Sequence, residues 1–252
     1  MRRLRLRYQL AGSTHRGAVR DHNEDAIDWV AAEQWALAVV ADGIGGYNGG
    51  ALASSLCVER FVADIEQRLS GVDVATWTPA QMQTSLRAAG QGVNRQLKRE
   101  QRRQVQFGRM GTTLVAGLAW GDYLCVIHAG DSRCYRLRRR QLAMLTRDHT
   151  YVAELAARGE LDDQALRAHP LRHVLTRSLG RREPFEFAVS TRRVEAGDIY
   201  LFCSDGLSNC LAPAVLKRLL GGVDRPAAIA AGLIDAAQSR ARDNISAVVM
   251  AF

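Results

Sequence analysis

The chain has 252 residues, 47% of them hydrophobic and 24% charged, with a formal net charge of +8 at pH 7. That balance supports a substantial buried core and excludes global disorder. No apolar run approaches the roughly 18 residues that a transmembrane helix requires, and the basic start MRRLRLRYQL lacks the apolar stretch of a secretory signal, so the expected location is the cytoplasm, with no membrane partner.

The same start alternates Leu and Arg and reads as a first strand. Strands are expected next at Ala26–Val30 and Trp35–Ala41, the second too hydrophobic for a surface loop. Gly50–Leu69 places Leu52, Leu56, Val58, Phe61, Val62, Ile65 and Leu69 at a period near 3.6, which predicts a helix. Thr78-Pro79 offers an N-cap and an N1 proline for a second helix running to about Glu100. After a loop-like stretch over Gln101–Met110, Thr112–Trp120 and Asp122–Ala129 flank a turn at Gly121. Ser132–Arg138 and Gln141–Leu145 likewise flank Arg139-Arg140, giving two hairpins. Helices at Thr150–Arg158, Pro213–Leu220 and Pro226–Ala237, a loop over Gly159–Leu171, and strands at Asp198–Ser204 and Ile245–Phe252 complete the chain. Hairpins with long interposed helices, rather than regular βα alternation, predict a layered α+β fold, and no linker or repeat divides residues 1–252 into more than one domain.

Acidic residues recur where these apolar runs meet loops: VRDHNED at 19–25, AVVADGIGG at 38–46, VIHAGDSR at 126–133, LFCSDGLSN at 201–209 and ARDNISAVV at 241–249. A carboxylate at the tip of a buried strand is costly to desolvate unless something neutralises it. Five such places point to one shared site, and divalent cations are the natural partners of clustered carboxylates. The glycine-rich AVVADGIGGYNGG is not a dinucleotide loop, because its spacing misses G-x-G-x-x-G at Asn48 and Asp42 would oppose a pyrophosphate. A metal site explains it better: Asp42 offers carboxylate oxygens, and Gly43, with no side chain, lets its carbonyl reach a cation.

Arg20-x-x-Asn23-Glu24-Asp25, Asp42-Gly43-x-Gly45-Gly46, Gly111-Thr112-Thr113, Gly130-Asp131-Ser132-Arg133, Ser204-Asp205-Gly206-Leu207 and Asp243-Asn244-x-Ser246 occur in that order. In this the chain resembles the metal-dependent protein phosphatases (PPM, or type 2C, serine/threonine phosphatases), in particular their compact bacterial branch. The resemblance runs from about Gly17 to the C-terminus. It implies a four-layer αββα sandwich, two antiparallel sheets face to face with helices outside, and a cleft at one end.

Carried over residue by residue, it implies that Asp42 bridges two Mn²⁺ or Mg²⁺ ions. Asp205 and Asp243 would complete the first ion, Glu24 and the Gly43 carbonyl the second, and Asp25 would act through water. Asp131 matches the position that, with Asp205, takes a third ion in bacterial members, so the centre would be dinuclear or, with that ion, trinuclear. Arg20 would clamp the substrate phosphate as a guanidinium fork. The implied reaction is hydrolysis of phosphoserine or phosphothreonine by a metal-activated water, without a covalent enzyme intermediate. Ile44 departs from the eukaryotic pattern, which places a histidine there as general acid. The implied partner is a phosphorylated protein, a serine/threonine kinase or its target, and the expected state is a monomer. A catalytically silent phosphoprotein-binding module is the alternative, against which the complete ligand set speaks.

Other features read more plainly. His22 is expected at the surface and His128 in the core, while His149, His169 and His173 fall where relatives cover the cleft. Asn23 and Asn244 would fix loops, and Arg133 would pair with a carboxylate. Five cysteines (Cys57, Cys125, Cys134, Cys203, Cys210) without paired spacing read as reduced thiols. Cys134 and Arg140 match the C-x₅-R spacing of cysteine phosphatases, but Tyr135–Arg139 has no glycine and alternates like a strand. Arginine carries nearly all of the positive charge, in Arg95–Arg109 and Arg133–Arg147. Aromatics are too few and too far from these runs for a nucleic-acid stacking platform. A phosphorylated or acidic protein surface suits such a face better than nucleic acid does.

Overall fold

The structure is a computed structural model describing residues 8–45, 49–103, 110–161, 165, 169–222 and 225–252. The elements in order are β1 (Gln9–His15), β2 (Asp25–Ala31), β3 (Trp35–Ile44), α1 (Gly49–Leu69), α2 (Pro79–Arg103), β4 (Gly111–Thr112), β5 (Leu114–Trp120), β6 (Tyr123–Ala129), β7 (Arg133–Arg138) and β8 (Gln141–Met144). Then come α3 (Tyr151–Ala157), β9 (Ala188–Arg193), β10 (Ile199–Cys203), α4 (Asp205–Cys210), α5 (Pro213–Leu220), α6 (Pro226–Ala237) and β11 (Ile245–Ala251).

Two antiparallel sheets form, in the orders β1-β11-β10-β7-β8 and β2-β3-β5-β6-β9, with the short β4 paired to β3. Strand β3 shows why they stack. Trp35, Leu37, Val39 and Ala41 join one apolar cluster with α1 and α2, and Ala36, Ala38 and Val40 join another with Tyr200, Phe202, Val248 and Met250 of the opposite sheet. A period-2 strand buried on both faces must be apolar at every position, which is why AVV reads as a continuous run. A third cluster sits between the β1-containing sheet and α4–α6. Three apolar layers between four layers of secondary structure make the αββα sandwich. Gly117 lets the sheets approach, because a Cβ there would meet the Phe202 ring.

Local chemistry sets the boundaries. At α2, the Gln81 backbone N–H donates to Thr78 Oγ1 (3.3 Å) and the Thr78 backbone N–H donates to Gln81 Oε1 (2.8 Å), a capping box ahead of Pro79. Thr150 Oγ1 accepts from Ala153 N–H at the start of α3. Arg139 and Arg140 take positive φ (48° and 60°) in the β7–β8 turn, the backbone of a two-residue hairpin.

The structure corrects two expectations: strand β9 and helix α4 fall where no element was expected. The first strand among the described residues is Gln9–His15, and the rest of the strand expected at the basic start falls on residues outside the described ones. Residues 1–7 lie outside the described residues, as do 104–109, 162–164 and 166–168 of the two expected loops.

Candidate active site

The two sheets present the same end of their strands to one cleft of about 950 Å³. Asp25 opens β2 and lies opposite Asp42 in the β2–β3 register. Asp131 follows β6, Asp205 follows β10 and Asp243 precedes β11. Arg20, Glu24, Asp42, Gly43, Asp131, Asp205 and Asp243 all line the cleft, and Asp25 lies beneath it, 9% exposed. The fold thus brings together every residue expected at the site.

The backbone around Asp42 is held firmly. Its N–H donates to Thr113 Oγ1 (3.0 Å) and its carbonyl accepts from Thr113 N–H (2.9 Å) and Thr112 Oγ1 (2.9 Å). Thr113 Oγ1 also pairs with Ser132 Oγ (2.7 Å), tying the Asp42 strand to the Asp131 turn. Asn244 fastens the third corner: its Oδ1 accepts from Glu24 N–H (2.8 Å), and its Nδ2 donates to the carbonyls of Arg16 (3.0 Å) and His22 (2.9 Å). Asn23 Nδ2 donates to Thr14 Oγ1, so both asparagines fix loops.

Gly43 occupies a closed seat. A Cβ there would stand 2.5 Å from the Glu24 carbonyl oxygen and closer still to the carbonyl of Gly50. Gly50 in turn leaves room for the Glu24 carboxylate, whose oxygens would lie 2.9 Å from a Cβ at that position. Backbone atoms on both sides cannot swing away as side chains can. Gly43→Ala should therefore destabilise the protein by about 3 kcal/mol, the upper end of overpacking costs, and urea denaturation would measure it; a change within error would show that the seat is soft.

The electrostatics are unfavourable as they stand. Burial pushes the Asp42 carboxyl well above the usual carboxylate range, and Asp25, Asp205, Asp131 and Asp243 push it further. Burial raises Asp25 to about 7 against the lowering effect of hydrogen bonds from Ser246 and Ser204, and Asp131 to about 7 with help from Asp205 and Asp148. Asp205 is raised by burial and by Asp243, with His173 and Arg133 offsetting part of the rise. Asp25 Oδ2 accepts from Ser204 Oγ and Ser246 Oγ (2.7 Å each), whereas its buried Oδ1 has no partner among the described residues.

This donor set fits divalent cations: hard oxygen ligands, excess negative charge and an unpaired buried carboxylate oxygen. Among the described residues no three His, Cys, Asp or Glu side chains close on a single point. The carboxylates surround a space instead, and a cation there would keep much of its coordination as water, the habit of Mg²⁺.

Arg20 stands at the edge, half exposed, with Nη2 donating to Asp243 Oδ2 (2.8 Å). That bond raises its guanidinium pKa, so it stays cationic. Arg133 does pair with a carboxylate, Asp148, through two bonds of 2.9 and 2.7 Å. His22 is exposed, and His128 is buried and stacked on His149 at 4.5 Å. Of the three histidines expected near the cleft, only His173 lines it. His149 is buried, with Nδ1 accepting from Gly130 N–H, and its pKa is lowered to about 3 by burial and then by His128. Cys134 is buried within β7 with its thiol pKa raised by desolvation, which rules out a thiolate nucleophile in a phosphate loop. Ser204 and Ser246, which carry Asp25, were missed; the Ser that precedes Asp205 and the Ser in Asp-Asn-x-Ser were the available signals.

The fold and cleft together define an αββα sandwich with buried carboxylates gathered at its paired strand ends. A family model described as protein phosphatase 2C matches residues 11–227, and the chain belongs to that family. It is 32% identical over 208 residues to the serine/threonine phosphatase stp of Listeria monocytogenes, covering 82% of this chain and 81% of that protein. The fold is similar to the crystal structure of the Mycobacterium tuberculosis serine/threonine phosphatase PstP/Ppp (TM-score 0.84, 32% identity, 98% of this chain and 99% of that one). A structure of the PstP catalytic domain in complex with two manganese ions is also similar (TM-score 0.80, 31% identity, 97% of each chain).

Proposed function

We propose that this chain is a metal-dependent serine/threonine protein phosphatase that hydrolyses phosphoserine and phosphothreonine in proteins. The observation that carries this reading is the set of buried, mutually repelling carboxylates at the cleft floor with a permanent cation, Arg20, at its edge. Bound Mn²⁺ or Mg²⁺ would supply Lewis acidity, making a water nucleophilic near neutral pH and offsetting phosphate charge.

The residues divide that work. Asp42 stands centrally; with Asp205 and Asp243 it would hold one ion, and with Glu24 and the Gly43 carbonyl the other. Asp25 is held by its two serines and keeps its other oxygen free for a metal's hydration shell. Asp131, beside Asp205, would make a trinuclear site with a third ion. The Arg20 fork swings from Asp243 to the phosphoryl oxygens, where it stabilises charge that builds in the transition state. Ile44 carries no proton, so the leaving alkoxide is protonated by another group. The physiological role that fits is opposition to a serine/threonine kinase.

With Mn²⁺ the purified protein should release phosphate from a phosphothreonine peptide and from p-nitrophenyl phosphate, and excess EDTA should stop both. Turnover that survives EDTA would exclude this mechanism. Phosphopeptide binding without turnover would establish the silent module instead.

A further inference from the structure

A second hollow of about 420 Å³ opens beside the cleft, and the two share Ile44, Ser178 and Arg181 on their walls. Its frame is fixed. Gln101 Nε2, in the last turn of α2, donates to the carbonyls of Met110 (2.6 Å) and Gly180 (2.8 Å). Asn94 Oδ1 accepts from Gly180 N–H (2.8 Å), and Thr112 and Leu179 exchange both backbone hydrogen bonds. Its walls are of two kinds. Ile44, 39% exposed, stands between the two hollows, with the buried Met110 and Leu179 behind it. Two arginines line the hollow, Arg182 exposed and Arg181 half-buried, and Arg102 and Arg103 follow Gln101 at the surface nearby. Two carboxylates stand against them: Glu183, largely exposed, lies 3.3 Å from Arg181 Nε, and Glu100 lies 3.6 Å from Arg103 Nη1.

Resting on the phosphatase reading above, we infer that this hollow holds the stretch of the phosphoprotein flanking the phosphorylated residue, and that this stretch is acidic. The phosphate must lie at the end where the carboxylates and Arg20 meet, so a polypeptide leaving it past Ile44 enters the second hollow directly. There an apolar side chain covers Ile44, and a carboxylate of the substrate meets Arg182 and competes with Glu183 for Arg181. The contact lies away from the reacting phosphorus and is equal in ground and transition states, so it acts on KM and leaves kcat alone.

Phosphothreonine peptides of one length, with Asp or Lys stepped through successive positions on either side, test this. On one side of the phosphothreonine, Asp peptides should show a KM about three- to five-fold below their Lys counterparts, as suits a solvent-exposed ion pair, with equal kcat and a gain that fades as salt rises. Arg182→Glu should erase or invert that preference, and Glu183→Gln should enlarge it. Equal KM values at every position, or a preference that survives Arg182→Glu, would overturn the inference. Hydrolysis of p-nitrophenyl phosphate without peptide discrimination would sink the inference and spare the phosphatase reading. If no ester were hydrolysed, that reading would fail, and fluorescence anisotropy of the same labelled peptides would still measure the discrimination.

Discussion

Asp42→Asn should lower turnover by at least about a thousand-fold, the scale of losing a principal electrostatic element of a hydrolytic site, while raising the melting temperature of the metal-free protein. The two effects share a cause. Asp42 is buried against four other aspartates, so its charge is destabilising when nothing balances it. Asparagine keeps the shape, and the backbone bonds to Thr112 and Thr113 do not involve the side chain. Its amide can also donate to the aspartates that crowd Asp42. Relief of about 1 kcal/mol would move the melting temperature by about 2–4 °C in a chain of this length. Scanning fluorimetry in EDTA and a p-nitrophenyl phosphate assay in Mn²⁺ read the two arms. A variant that melts lower than wild type and keeps its activity would remove Asp42 from the centre of the site.

The opposed signs mark a site whose cost to the fold is accepted for function, and they explain what could be read from sequence. Core strands and long helices were legible because packing dictates them. Trp35–Ala41 must be apolar at every position if it is buried on both faces, and Thr78 must cap if Pro79 opens a helix. The acidic strand ends were legible for the converse reason: a carboxylate next to such a strand contradicts local packing, and contradictions of that kind cluster at functional sites.

Strand β9 was not legible. Ala188–Arg193 (AVSTRR) lies at a sheet edge, pairs only with β6 among the described residues and is nowhere fully buried, so it lacks both the apolar run and a clean alternation. Helix α4 is a six-residue segment, too short for a periodic signal. The support of Asp25 by Ser204 and Ser246 was invisible for another reason. It joins residues 179 and 221 positions away, and only the β10–β11 pairing, in which Cys203 lies opposite Ala247, brings the two serines to one carboxylate.

The same repulsion should make the metal-free protein less stable as pH rises from about 4 to about 7, opposite to the usual acid-denaturation trend. An unfolded aspartate titrates near 3.9, whereas burial holds Asp25 and Asp131 at about 7 and also raises Asp42 and Asp205. Below about pH 4 both states are protonated and the groups cost the fold nothing. Between the two values the folded chain binds protons that the unfolded chain has released, so each step up in pH favours unfolding, and above about 7 the full penalty from Asp25 and Asp131 stands. A proton held by the folded chain alone costs it about 1.4 kcal/mol for every pH step of one, so the penalty grows steadily across this window. Mn²⁺ or Mg²⁺ binds the ionised form, so it should restore stability most strongly at the alkaline end of that window. Melting curves in EDTA and in millimolar Mn²⁺ across this range would show two lines diverging with pH. Parallel lines, or no metal-induced change at pH 8, would mean that these carboxylates do not share an ion. Because Asp42→Asn removes the central charge, its EDTA line should be flatter than that of the wild type, which ties the pH effect to the same residue that turnover requires.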